Sequence, residues 1–330
     1  MQSKTIAFTG PGTAELILRE TEPVTGDLVG VNMEYTVVSG GTERANLVGS
    51  KNTPVKYPKF LGYCGIGIVD KIGEKVENVV PGDRVLVYHG DHTQYNVVPA
   101  IKVTKVTQNV DVLDAAFVII ASMGLGGVRK LEVELGESAM VMGLGLLGLF
   151  SVQFLRLSGA YPVIAADPNP ERRQLALQLG ADHALDPMDP DFRDRVKALT
   201  GNKGVKACVE VTGVSAAMKQ ALECASRMGR IALLGCTRIS DCEVDYYARV
   251  HRPGVTLIGA HNSVRPLLES YPHHWTHQDD CTAILNLLEA GRITVKPVIS
   301  RVVKPEDAPA IYTQLTHDPN FPLGTVFDWR

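Results

Sequence analysis

Apolar residues follow two patterns along the chain. Over the first hundred or so positions they form short β-rich runs at 28–33, 65–72, 84–88 and 95–98, separated by turn residues. Val80-Pro81-Gly82-Asp83 ahead of the third run predicts a turn feeding a strand, because Pro presets φ and Gly accepts positive φ. An all-β segment is expected here. From about Asp111 the pattern changes. Asp114 is a candidate cap for a helix running through residue 121, with glycines at 124, 126 and 127 before Val128. Apolar stretches at 138–142, 162–166, 207–211, 230–234 and 255–258 then alternate with helical spacing, which predicts a parallel sheet covered on both faces, an α/β fold. The last residues predict a helix over 281–290, a β-like run at 295–303 and a helix over 305–315.

The turn between the first two of these elements carries chemistry. Ala139-Met140-Val141-Met142 runs into Gly143-Leu144-Gly145-Leu146-Leu147-Gly148 and a long apolar helix, which is G-x-G-x-x-G in strand-to-helix context. Gly143 permits a tight turn, Gly145 lets a pyrophosphate approach the helix N-terminus at Leu146 and Leu147, and Gly148 lets helix pack on strand. Glycines also serve bare βα turns. The next strand decides for a dinucleotide by ending at Asp167, nineteen residues beyond Gly148, where a carboxylate accepts hydrogen bonds from both ribose hydroxyls. That acid favours NAD(H) over NADP(H), whose 2′-phosphate it would repel. Arg172 and Arg173 nearby are either a seat for such a phosphate or helix-surface charges. Thr212 and Gly213 after the fourth strand, and Gly235 and Cys236 after the fifth, lie at the carboxyl edge, where an open α/β sheet binds its ligand.

Composition narrows the partners. A length of 330 residues fits about two domains. With 33 Lys and Arg against 36 Asp and Glu, the net charge of −3 points away from nucleic acid and anionic membrane. Six cysteines without a C-x-x-C pair, and no basic segment leading into an apolar core at the N-terminus, predict a cytoplasmic protein with reduced thiols. The uncharged stretch 138–155 is long enough to be a membrane candidate, but its glycines, Ser151 and Gln153 favour a buried strand, turn and helix.

Taken together, Gly40-Gly41-Thr42-Glu43, Leu61-Gly62-Tyr63-Cys64-Gly65, Pro81-Gly82-Asp83-Arg84-Val85, the Gly143 turn, Val209-Glu210-Val211-Thr212-Gly213 and Gly229-Arg230-Ile231-Ala232-Leu233-Leu234-Gly235 resemble the medium-chain dehydrogenase/reductase superfamily over nearly the full length. Ser39-Gly40-Gly41-Thr42-Glu43-Arg44 is similar to the branch containing bacteriochlorophyllide-type alcohol dehydrogenases. The resemblance implies a β-rich GroES-like catalytic domain at 1–118 and 265–330, a Rossmann doubly wound sheet at 119–264, and a homodimer paired through the strand at 255–258. It further implies Ser122 against the nicotinamide and Gly259 near the carboxamide. Where zinc-dependent members carry metal ligands, this chain has Gly40, Tyr63-Cys64 and Val118, and only seven residues, 88–94, stand where a four-cysteine structural lobe would be. Neither catalytic nor structural zinc is expected.

Without a metal, protein groups must donate to the developing oxyanion. Tyr63, at a former ligand position, either protonates a substrate oxygen or fills the vacated volume. Thr42 matches the family's relay hydroxyl, or is a turn threonine bonding backbone. Glu43 and Arg44 can pair with each other, or Arg44 can hold a substrate anion. His89 and His92 lie in the shortened loop, as acid–base groups or solvent-exposed histidines. His273, His274 and His277 flank Trp275; the i, i+4 pair could bind metal on a helix, but a hinge or substrate-rim segment is the better reading. The expected function is zinc-independent, NAD(H)-dependent hydride transfer to or from an alcohol–carbonyl pair. The alternatives are an NAD(P)H-dependent reductase of an activated C=C bond and a non-catalytic nucleotide-binding protein.

Overall fold

Alternating strands and helices build a six-stranded, wholly parallel sheet in residues 121–280 of the computed structural model, which describes all 330 residues. These residues form one compact unit; 1–120 together with 281–330 form another. The chain leaves the second unit at 280 rather than 264, because Arg129 and Arg265 both ion-pair with Asp280 and fasten 265–280 to that unit.

In the second unit the strand order is His183–Leu185, Val163–Ala166, Ala139–Met142, Val205–Glu210, Ala225–Leu233, Thr256–Gly259. Numbered along the sequence this is 3-2-1-4-5-6, the doubly wound order whose direction reverses beside the first strand. Ala139–Met142 and Val163–Ala166 are buried at every position, as a sheet covered on both faces requires. Met140, Ile164, Cys208 and Ile231 from four strands meet Phe192 and Val196 of the helix Phe192–Leu199 in one core. The three-residue strand His183–Leu185 carries too little apolar signal to be read from sequence.

The first unit holds two sheets. Gln2–Gly10 pairs with Thr13–Glu20 and Lys59–Phe60. The larger sheet runs Arg301–Val303, Thr325–Asp328, Leu28–Val37, Cys64–Ile72, Arg84–Tyr88, Val103–Lys105, with Tyr95–Pro99 also on Leu28–Val37. The C-terminal strand thus returns to the first unit, Val326 opposite Val37. Phe8, Met33, Leu47, Val85, Tyr312 and Phe327 share its core.

Two local expectations are corrected and one helix is added. Asp111, not Asp114, caps the helix Val112–Ala115, its side chain accepting from the amides of Leu113 and Asp114; its extended backbone suits a cap, whereas Asp114 already lies inside the helix. A second helix, Val118–Arg129, then runs on through the three glycines. The β-like run at 295–303 is a 3-10 turn, Lys296–Val298, and the strand Arg301–Val303, since Pro297 has no amide to pair. The helix Gly40–Leu47 was not anticipated, because two glycines open it and it has no marked apolar face. No helix is long and apolar enough to cross a membrane.

Candidate functional site

The glycine turn of the second unit has the form a pyrophosphate needs. Gly143 has φ +96°, a conformation L residues avoid, and a Cβ on Gly148 would lie 1.9 Å from the Gly143 carbonyl oxygen. Both positions require glycine for the fold itself. Gly145 differs: a Cβ there would meet nothing within 4 Å, so its bareness leaves open space in front of the helix Leu146–Leu157. No side chain caps that helix, and the amides of Leu146 and Leu147 on its first turn face the opening, aided by the positive end of the helix dipole. This donor set fits a dinucleotide phosphate.

Asp167 ends its strand as expected but is 5% exposed and already employed. Its Oδ2 accepts from the Leu144 amide of the glycine turn at 2.8 Å, and its Oδ1 from the Asn169 amide at 2.8 Å. One carboxylate therefore braces the turn and, with its remaining lone pairs, can meet ribose. Arg172 Nη1 stands 4.0 Å from Oδ2, whereas Arg173 donates to the Asp167 and Pro168 carbonyls and to Asp186. At the neighbouring strand end, the buried Glu210 accepts from the amides of Thr212 and Gly213 and from the Thr212 hydroxyl. Burial pushes its pKa up, and these bonds only partly offset the rise. Gly213 and Gly235 pack backbone to backbone: a Cβ on Gly235 would sit 2.4 Å from the Gly213 amide. Cys236 is exposed beside them, and Gly259 ends the edge strand. Ser122 is fully buried, its hydroxyl 3.2 Å from His277 Nδ1 and its carbonyl accepting from Arg265.

In the first unit the polar groups named from sequence converge with others that were not. Glu43, on the first turn of Gly40–Leu47, is wholly buried. Its Oε1 accepts from the Ser39 amide at 2.8 Å and faces His92 Nε2 at 3.2 Å, while Oε2 accepts from the Tyr312 hydroxyl at 2.6 Å. His92 Nδ1 lies 2.6 Å from Thr36 Oγ1, which accepts from Trp329 Nε1 at 2.9 Å. An ionised carboxylate only accepts, so Nε2 of His92 carries a proton. Burial alone would raise the Glu43 pKa, but the His92 ring and the bonds from His92, Tyr312 and Ser39 outweigh it and hold the carboxyl below its usual range.

His92 is therefore no exposed loop histidine: at 1% exposed it is a core hydrogen-bond partner of Glu43. Glu43 does not pair with Arg44, which instead donates to the Leu315 and Asp318 carbonyls at the end of the helix Ala308–His317. His89 is exposed, at φ +52°, with its ring against Tyr88 and Tyr63.

Tyr63 stands over this network. Its ring is partly exposed, and its hydroxyl is hydrogen-bonded to Ser39 Oγ and to the Thr42 side chain. Burial of the hydroxyl end raises its pKa, neighbouring Cys64 and Glu43 add to the rise, and the two hydroxyl partners offset it only in part. The phenol stays protonated at neutral pH and can donate. Ser39 is the residue sequence reasoning missed; it lies one position before the Gly40-Gly41-Thr42-Glu43 run.

A zinc ion does not fit the matching positions. Gly40 offers no donor, Val118 is apolar and buried, and the buried Cys64 thiol is pushed well above its ordinary pKa by burial. No three His, Cys, Asp or Glu side chains are grouped so as to hold a metal ion. His273 and His277 cannot share a helix face, because the helix begins only at His277.

The chain matches a family model described as "Zinc-binding dehydrogenase" over residues 147–269. It is 27% identical over 281 residues to L-threonine 3-dehydrogenase of Pyrococcus furiosus, covering 76% of this chain and 77% of the relative. It is 24% identical to D-guloside 3-dehydrogenase of Escherichia coli, covering 94% and 95%. Among solved structures, alcohol dehydrogenase TADH from Thermus sp. ATN1 superimposes with a TM-score of 0.83 at 20% identity. A candidate zinc-binding dehydrogenase of Sinorhizobium meliloti 1021, bound to NADP, gives 0.82 at 22%. In both cases 99% of each chain is covered, a likeness of fold.

Proposed function

Since the chain belongs to the alcohol-dehydrogenase-like, medium-chain dehydrogenase/reductase superfamily, we propose that it is a nicotinamide-dependent dehydrogenase of hydroxyl groups that works without zinc and prefers NAD(H). The observation that carries this reading is the Ser39–Tyr63–Thr42 hydroxyl cluster, with Tyr63 at the former ligand position and side chains that cannot hold the metal around it. Bound at the glycine turn, the cofactor would supply or take up hydride.

The chain's own residues then have separable tasks. The amides of Leu146 and Leu147 and the bare Gly145 receive the pyrophosphate, and Asp167 receives the ribose while bracing Leu144. Tyr63 donates its phenolic proton to the substrate oxygen as negative charge develops there during reduction, and takes it back in oxidation. Ser39 and Thr42, already bonded to the phenol, compensate it and offer a route to replace the proton. Glu43 and His92 act at one remove: the carboxylate fixes the Ser39 amide, hence the segment that carries the hydroxyl. The preference for NAD(H) rests on the Asp167 carboxylate, which repels a 2′-phosphate. We also propose that two copies pair through the edge strand Thr256–Gly259, checked by light scattering.

The test is NADH oxidation over a panel of ketones and aldehydes by the wild type, Tyr63→Phe and Ser39→Ala. Tyr63→Phe is expected to lower kcat about a hundredfold with NADH affinity unchanged. Equal turnover by all three proteins would remove the donor assignment.

A further inference from the structure

The segment between the last strand and the helix His277–Glu289 packs on the helix Val118–Arg129 around a single acid. Asp280, 1% exposed, accepts from Arg129 Nε at 2.6 Å and from Arg265 Nη1 at 2.5 Å. Arg265 lies across the helix where Gly126 lacks a Cβ; one placed there would come within 2.2 Å of the guanidinium. That contact accounts for a glycine inside a helix, where it costs about 1 kcal/mol relative to alanine. The Arg129 guanidinium stacks on the Trp275 ring at 3.8 Å.

Beside this cluster opens a narrow recess of the second unit, lined by Arg129, Lys130, Arg265, His261, His274 and Trp275, with His273 at its rim. Three cations against one carboxylate leave two positive charges uncompensated, since the only acid of the lining, Asp280, has both oxygens engaged by the arginines. Lys130 forms no ion pair, so clamping the segment does not explain it. His273 is held at φ +67°, a conformation costly for a non-glycine residue and concentrated at binding sites. Arg129, Arg265 and Lys130 thus line an opening that carries an excess of two positive charges.

We propose that this recess binds a small phosphate, free or as a monoester, whose dianion offsets the two charges, with Arg129 and Lys130 as principal donors and the histidines at the mouth. It shares no residue with the glycine turn and does not depend on the dehydrogenase reading.

Trp275 is one of only two tryptophans, and the other, Trp329, is buried in the first unit, so indole fluorescence reports on the recess. Inorganic phosphate and glycerol 3-phosphate are titrated into the full chain, with and without saturating NADH, following fluorescence and heat. Saturable binding that persists with NADH present and weakens about tenfold in Lys130→Glu and Lys130→Ala is expected, with NADH affinity unchanged in both. Binding by glycerol 3-phosphate alone would assign the site to esters, and equal binding of the two to the phosphate group itself. No saturable binding, binding abolished by NADH, or equal binding in wild type and variants would overturn the proposal. Lys130 is partly exposed and unpaired, so its variants keep the fold; near-UV circular dichroism verifies this.

Discussion

Glu43 is the residue on which the first unit's polar interior turns, and its charge has a pH signature. Its carboxyl sits below its ordinary pKa when folded, so the unfolded chain takes up the proton first as pH falls. The stability it contributes is complete above the usual carboxylate value of about 4.3 and is lost as pH drops through the depressed folded value. Glu43→Gln should therefore lower the melting temperature at pH 7 and flatten its decline on acidification; parallel wild-type and variant profiles from thermal unfolding would show that the charge does not matter. Sequence reveals Glu43 as part of a motif but not its partner. His92 is forty-nine positions away and Tyr312 two hundred and sixty-nine, so only the return of the C-terminal helix makes the cluster. Ser39 was hidden for the opposite reason: it adjoins the motif, and nothing in its spacing separates it from any serine before a glycine pair.

Among elements, the glycine turn was the most legible, because each glycine answers a separate geometric demand within six residues. Gly148→Ala should cost about 1–3 kcal/mol by overpacking against the Gly143 carbonyl, measured by denaturant unfolding. Gly145→Ala should leave stability nearly unchanged yet weaken NADH binding, since its Cβ enters only the open space; unaltered affinity would argue against pyrophosphate there. Asp167→Ala is expected to lower NADH affinity about tenfold, relax discrimination against NADPH, and loosen the turn through Leu144. The N-terminal hairpin has a clear turn signal in Gly10-Pro11-Gly12, but the polar residues along its strands blur the alternation that would mark them, and the third strand of the parallel sheet is only three residues long. Likewise, the boundary at 280 depends on ion pairs between side chains far apart in sequence, which periodicity does not encode.

For the whole molecule, kinship and local chemistry pull in different directions. The matching family model is described as zinc-binding, while no three His, Cys, Asp or Glu side chains of this chain are grouped to hold a metal ion and the Tyr63 hydroxyl is joined to Ser39. The fold and the dinucleotide turn were readable because both depend on repeated short-range patterns. The first unit was only partly readable, since its polar network draws on residues from both ends of the chain. The most direct test of metal-free hydride transfer is the rate of NADH-dependent carbonyl reduction by purified protein before and after exhaustive chelation, with zinc per chain measured in the same samples. Undiminished turnover at substoichiometric zinc is predicted. Stoichiometric zinc, with activity lost on chelation and restored by adding the metal back, would contradict the account.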